Sequence, residues 1–335
     1  MGQRALTDPL RIGGVQVSNR VLLAPLAGIG NWFVRLQARR HGAGMAYSEM
    51  VSSFALHHRN ERTLREMLRI HPDEHPTAMQ LFGPDPEAMK SAAATVAEAG
   101  ADLIDLNMGC PVRKVVKTGA GAALLDEPDR AVAVARAAQE GSGLPVTVKL
   151  RSGLRPGDRS GYELALRLAA EAGVAAIGFH PRSAAVHHKG TPDYELAREL
   201  VAELHERELD CPVVISGGLA DAGRVREAYE RSGADAVMLA RGGLGYPWIF
   251  GELTGQRLGA PSEVEVVEEL RWVLDRAAEH WGEARAARNL RKFYPWYLER
   301  LDVHGAAADA YQRTIDLDQV RSLLRTLHEH ESVAA

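Results

Sequence analysis

The chain has 335 residues and a net charge of −4, from 40 Lys and Arg against 44 Asp and Glu. Its 46% hydrophobic and 25% charged residues build a packed core and exclude disorder, and the length suits one large α/β barrel or two ordinary domains. The charge balance excludes a generally basic nucleic-acid coat, although a phosphate backbone also responds to a local basic face.

Eight short apolar segments read as strands. In chain order they are VLLAPLA from Val21, MAYSEMV from Met45, PTAMQLF from Pro76 and LIDLNMG from Leu103. Then come PVTVKLRS from Pro145, AIGFHPR from Ala176, CPVVISGG from Cys211 and AVMLARGG from Ala236. Helical stretches such as PEAMKSAAATVAEAGA and GRVREAYERSGA fall between them. Alternating strands and helices imply parallel strands. Eight such units predict a (β/α)8 TIM barrel, an α/β fold whose active site lies at the C-terminal ends of the strands. An open doubly wound sheet would need a first-turn G-x-G-x-x-G, and the chain has none. Beyond about residue 255 no strand candidate remains. SEVEVVEELRWVLDRAAEHWG, EARAARNLRKFY and LDQVRSLLRTLHEHE read as amphipathic helices. The turn residues of TGQRLGAPS mark the boundary, so residues 1–255 are expected to form the barrel and 256–335 a small all-helical domain.

Two cysteines, Cys110 and Cys211, make neither a metal tetrad nor a disulfide framework, and no C-x-x-C is present to hold an iron–sulfur cluster. No metal is expected. MGQRALTDPLRIGG lacks the basic start and apolar core of a signal peptide, and no run of about 18 apolar residues could span a membrane. A reducing, cytoplasmic compartment and a monomer are the expectations.

Polar residues gather at the ends of the strands, where a core should be apolar unless something polar binds. Side chains alternate along a strand, so Asp105 and Asn107 share one face, Thr147, Lys149 and Arg151 another, and Gly178, His180 and Arg182 a third. Any one of these alone reads as structural, with Asp105 paired to Lys149 and His180 hydrogen-bonded nearby. Several together favour a binding site in the barrel mouth. ISGGLADAGR and LARGGLGYPW follow strands seven and eight, where this fold commonly binds phosphate through backbone N–H groups. A strand-five lysine with such a clamp would fit flavin mononucleotide (FMN).

These segments resemble the bacterial tRNA-dihydrouridine synthases, flavin enzymes that reduce uridine in tRNA. VLLAPLAGIGN is similar to the family's A-P-M-A-G-(V/I)-T-(D/N), and MQLFG to its Q-(L/I)-x-G. DLNMGCPVRKVVKTGAGAALL is close to its D-(L/I)-N-x-G-C-P-x-x-K-V-x-x-x-G-x-G-(A/S)-x-L, the most specific match. VKLRSG, GFHPRS, ISGG, MLARGGLGYPWIF and ARNLRKFYPWYL follow in family order over nearly the whole chain. The resemblance implies FMN bound by Pro25, Leu26, Ala27, Gln80, Lys149 and His180. It implies a phosphate on Ser216, Gly217, Gly218, Ala240 and Arg241, Asn107 near flavin and base, and Cys110 as the proton donor. Leu26 and Gly30 replace the family's usual methionine and threonine, and SAAVHHKG follows Arg182 where Gln and Tyr are frequent, leaving the roles of His187 and His188 open.

Reduction of the uracil C5=C6 bond needs a hydride at C6 and a proton at C5. An ordinary thiol, with a pKa of about 8.5, is mostly protonated at neutral pH and can serve as that acid. Free cysteine is usually a buried packing residue. Cys211, read as opening a core strand, fits that role, whereas Cys110 lies past a strand end between Gly109 and Pro111. Arg113, Lys114 and Lys117 follow it and could meet RNA backbone around an extruded base; Arg182 is assigned to the same contacts. On a helical wheel Arg285, Arg288, Arg291 and Lys292 share a side, a candidate phosphate tracker for tRNA. NADPH or NADH would be the reductant, with no separate nicotinamide fingerprint. The alternatives are a flavin dehydrogenase of a free pyrimidine such as dihydroorotate, and a tRNA-binding chaperone without turnover.

Overall fold

In the computed structural model, which describes residues 3–332, the eight expected segments form one closed parallel sheet. The barrel strands are β1 (Val21–Leu23), β2 (Met45–Tyr47), β3 (Thr77–Phe82) and β4 (Leu103–Met108). They continue as β5 (Val146–Arg151), β6 (Ala176–His180), β7 (Val213–Ile215) and β8 (Ala236–Leu239). Each strand pairs with the next in sequence, and β8 returns to β1 with Val237 opposite Val21. This is a TIM barrel with a helical C-terminal region.

Alternation along the strands divides the core in two. Val21, Leu23, Ile104, Leu106, Val148, Leu150, Ile177 and Phe179 pack outward under the helices. Leu22, Met45, Tyr47, Ala78, Leu103, Ala176, Val214, Ala236 and Met238 fill the barrel floor. Leu10, Ile12 and Val17 join the floor from an antiparallel hairpin, Leu10–Ile12 with Val15–Val17, which closes the barrel from below. Its Gly13–Gly14 turn between two short alternating runs is the sequence signal for that hairpin, which the strand reading above omits.

Local signals set the helix limits. Asn31 caps Trp32–Arg40 by accepting from Val34 N–H, Asp85 caps Pro86–Glu98 from Ala88 N–H, and Gly143 ends Pro128–Ser142 in the left-handed region. Glu263–Trp281 starts in a reciprocal Ser262–Glu265 capping box. It packs back on Trp32–Arg40 through a buried polar cluster: Gln37 Nε2 donates to Glu269 Oε1 at 2.8 Å and to the Tyr297 hydroxyl at 2.9 Å.

Two expectations need correction. EARAARNLRKFY is not one helix: the α-helix ends at Asn289, a 3-10 turn covers Leu290–Lys292, and helix resumes at Tyr294–Leu298. Pro295 sits in the first turn of the new helix, where its missing N–H has no acceptor to lose. Cys211 lies in the turn before β7 rather than in the strand, although it is buried as expected. Part of LDQVRSLLRTLHEHE, from residue 327 onward, lies outside the residues whose side chains are described.

Candidate active site

A chain of hydrogen bonds links the neighbouring strands β5, β4 and β3 and ends in the loop after β4. Thr147 Oγ1 donates to Asp105 Oδ1 at 2.6 Å, and Gln80 Nε2 donates to Asp105 Oδ2 at 2.6 Å. Asn107 Nδ2 donates to Gln80 Oε1 at 3.0 Å. Asn107 Oδ1 then accepts from the N–H groups of Gly109, at 3.3 Å, and Cys110, at 2.9 Å. Burial pushes the Asp105 carboxyl up to about 6, against the hydrogen bonds from Thr147 and Gln80 and the charge of Lys149. The direct Asp105–Lys149 pairing anticipated above does not form. Lys149 Nζ donates instead to Ser216 Oγ, just past the end of β7, at 3.0 Å. Burial brings the Lys149 ammonium down to about 8, with Arg151 adding to the fall and Asp105 opposing it.

Above this layer opens a cavity of about 750 Å3, within the size range of small-molecule sites. Pro25, Leu26 and Ala27 form one wall, and Gln80, Asn107 and Cys110 another. Lys149 and His180 also line the cavity, with Ser216, Gly217 and Gly218 beside them and then Ala240 and Arg241 after β8. Every charged residue of the lining is cationic: Lys149, Arg151, Arg182, Arg224 and Arg241. In a chain of net charge −4, that is a local field built for an anion. His180 is held well below its usual pKa by burial and then by Lys149, Arg151 and Arg182, so its ring is neutral at pH 7.

The glycine turn after β7 is shaped by close approach. Gly217 has φ +93 and Gly218 φ +79, a region that side chains disfavour. A Cβ on Gly217 would run into the His180 ring, and one on Gly218 would meet the Tyr194 hydroxyl. That hydroxyl donates to the Gly217 carbonyl at 2.9 Å. Among the described residues, the N–H groups of Gly217, Gly218, Arg241 and Gly242 donate to nothing. Unpaired backbone donors beside cations are the donor set a phosphate needs.

The other expected residues are more scattered. Arg113 and Lys114 open a short exposed turn of helix after Cys110, Lys117 ends it, and none has a side-chain partner among the described residues. Arg182 lines the cavity and donates to the Gly190 carbonyl at 2.5 Å. Arg285 makes a two-pronged ion pair with Glu66, at 2.7 and 2.6 Å. Arg291 donates to the Thr314 carbonyl, and Lys292 turns inward to the Gly28 carbonyl. Of these four, only Arg288 stands exposed and unpaired among the described residues.

Sequence reading left out Arg151 as a site residue. It is 4% exposed, and it ties the Cys110 loop to the loop after β6 by donating to Gly109, Ser183 and His187 carbonyls at 3.0, 3.0 and 2.7 Å. Its place on the Lys149 face of β5 was the available signal. His187, at φ +52, and His188, stacked on His180 with centroids 6.1 Å apart, also line the cavity.

The fold recurs in solved reductase structures. A morphinone reductase in complex with tetrahydroNAD aligns with a TM-score of 0.54 at 18% identity, over 78% of this chain and 94% of that one. A 2-naphthoyl-CoA reductase complex aligns with a TM-score of 0.57 at 14% identity, over 75% of this chain and 52% of that one. Sequence comparison is more specific. A probable tRNA-dihydrouridine synthase of Mycobacterium tuberculosis is 35% identical, covering 98% of this chain and 87% of the relative. tRNA-dihydrouridine synthase B of Shewanella oneidensis is 33% identical, covering 90% of this chain and 94% of the relative. The dihydrouridine synthase family model matches residues 22–330. With that span and these relatives, the chain belongs to the dihydrouridine synthase family.

Proposed function

We propose that the chain reduces uridine to 5,6-dihydrouridine in tRNA, with FMN in the barrel mouth, NADPH or NADH as reductant and Cys110 as proton donor. One observation carries the reading: a cavity whose charged lining residues are all cationic, with free backbone N–H groups and a thiol in its lining. The residues fit FMN. Gly217, Gly218, Arg241 and Gly242 N–H groups, with Arg182 and Arg241, would hold the phosphate. Lys149, Gln80 and Asn107 would face the polar ring edge, and Pro25–Ala27 its apolar side.

When bound, FMN supplies the hydride for uracil C6, and a nicotinamide dinucleotide restores it. The protein's task is binding, orientation and the proton. Reduction at C6 places negative charge toward C5 and O4, and Cys110 gives C5 its proton. Asn107 fixes the loop that carries the thiol, and Arg151 ties that loop to the opposite rim. The base must leave its stack to reach the cavity. Arg113, Lys114 and Lys117 at the rim and Arg288 on the C-terminal helices, within the proposed docking unit 256–335, would meet the tRNA backbone.

The test is to incubate the protein with NADPH and unmodified tRNA, and separately with orotate. Dihydrouridine in the tRNA supports the reading. Dihydroorotate instead would make it a free-pyrimidine enzyme, and neither product, with tRNA bound, a chaperone.

A further inference from the structure

Gly28 is held at both of its polar groups. Its N–H donates to the Glu49 carboxylate at 2.7 Å, and its carbonyl accepts from the Lys292 ammonium. Gly28, at φ +71, directly follows the cavity wall Pro25–Ala27. Four residues beyond Lys292, Trp296 lies against Gly245: a Cβ built there would sit 2.5 Å from Trp296 Cβ. Four residues further, the Arg300 guanidinium lies 4.1 Å from the centre of the Tyr246 ring. Gly245 and Tyr246 follow Arg241 and Gly242, on the phosphate side of the cavity.

Lys292 ends the 3-10 turn Leu290–Lys292, Trp296 lies in the helix Tyr294–Leu298, and Arg300 lies in the 3-10 turn Glu299–Leu301, so it is their contacts that place all three against the barrel loops. The segment is anchored, because Tyr294, Tyr297 and Leu298 are buried and the Tyr297 hydroxyl accepts from Gln37. β1 and β8 are neighbours in the sheet, so one short segment spans the two loops at the seam where the barrel closes. Lys292 is an exposed residue. Its ammonium nevertheless lies 5.9 Å from the centre of the Trp281 ring, and burial lowers its pKa while Glu49 opposes the fall.

We propose that Lys292, Trp296 and Arg300 are positioning residues that brace the two loops framing the flavin site, so that the C-terminal helices set FMN affinity before any RNA binds. The proposal rests on the flavin reading above. It assigns Lys292 an inward task in place of the phosphate contact expected from the helical wheel.

The experiment titrates FMN into apoprotein without RNA, following flavin fluorescence, for wild type, Lys292→Met, Lys292→Arg and Arg300→Ala. Hydrogen exchange of residues 28–30 and 242–246 in the apoprotein gives a readout independent of flavin. Losing a charged hydrogen bond in Lys292→Met should weaken FMN about tenfold and speed exchange in the 28–30 loop. Lys292→Arg should keep most of the affinity. Arg300→Ala, which removes only a ring contact, should weaken FMN about two- to threefold. The salt slope of tRNA binding should stay at the wild-type value in Lys292→Met. Wild-type FMN affinity and exchange in both Lys292→Met and Arg300→Ala overturn the brace. A reduced salt slope with unchanged FMN affinity does so too, and returns Lys292 to the RNA surface. If wild type takes up no FMN, the flavin reading itself fails and the brace with it.

Discussion

The Asn107 side-chain oxygen accepts the Cys110 N–H at 2.9 Å, while the Asn107 amide donates to Gln80 at 3.0 Å. The loop that carries the thiol is thereby tied to the buried Asp105 layer below it. Asn107→Ala would leave the Gly109 and Cys110 N–H groups without their acceptor and free the loop to shift. A misplaced acid should slow the oxidation of pre-reduced enzyme by tRNA about 10- to 100-fold. Cys110→Ala should slow the same step about 10²–10⁴-fold. Reduction by NADPH should be near normal in both, and stopped-flow absorbance of each half-reaction separates the two steps.

The two thiols should differ in reactivity. Cys110 is half-buried and lines the cavity. Cys211 is buried, and burial, with Asp235 and Asp210 adding to it, pushes its thiol up to about 12. Iodoacetamide at pH 8 should label Cys110 in the folded protein and Cys211 only after unfolding. Peptide mapping by mass spectrometry reads both, and labelling should abolish turnover while leaving the fold intact.

Asp105 makes stability depend on pH in an unusual direction for a carboxylate. Its pKa is about 6 when folded and about 3.9 when unfolded. Between those values the folded state binds more protons, so stability falls as pH rises. The contribution is fully present below about pH 4 and lost above about pH 6, roughly 3 kcal/mol across the window. Asp105→Asn should flatten this part of the profile. Urea unfolding of both proteins at half-unit steps from pH 4 to 7 measures it.

Arg35 and Glu74 form a fully buried ion pair at 2.6 Å, with relative exposures of 1% and 0%. Arg35 also donates to the Gly30 carbonyl at 3.0 Å and the Arg69 carbonyl at 2.8 Å. Glu74→Ala would leave the guanidinium buried without its counter-charge and should destabilise the protein by about 3–5 kcal/mol. The loop after β1 should loosen with it. Denaturant unfolding gives the first effect, and exchange at Gly28–Gly30 the second.

Much of the site is legible in the chain because a barrel strand has a two-residue period and an inside. Once LIDLNMG, PVTVKLRS and AIGFHPR are read as strands, Asn107, Lys149 and His180 must point into the mouth. The glycine turns after β7 and β8 announce a close backbone approach. The family resemblance then assigns roles to positions, and the strand pattern supplies the reason for each residue type.

What a single strand's pattern cannot say is which neighbour a polar group chooses. Asp105 and Lys149 lie close enough to suggest a pair, yet Asp105 takes Gln80 and Thr147, and Lys149 takes Ser216. The choice depends on distances between strands 25 to 67 residues apart. The helical wheel likewise put Arg285, Arg288, Arg291 and Lys292 on one side without knowing what lies against them. Glu66, Thr314 and Gly28 claim three of those four cations. Sequence alone determined the barrel, its polar mouth and the thiol at the rim, because periodicity and turn chemistry are local. Only the tertiary structure decided which charges face solvent and which are spent inside, because a partner's position is set by the packing of distant elements.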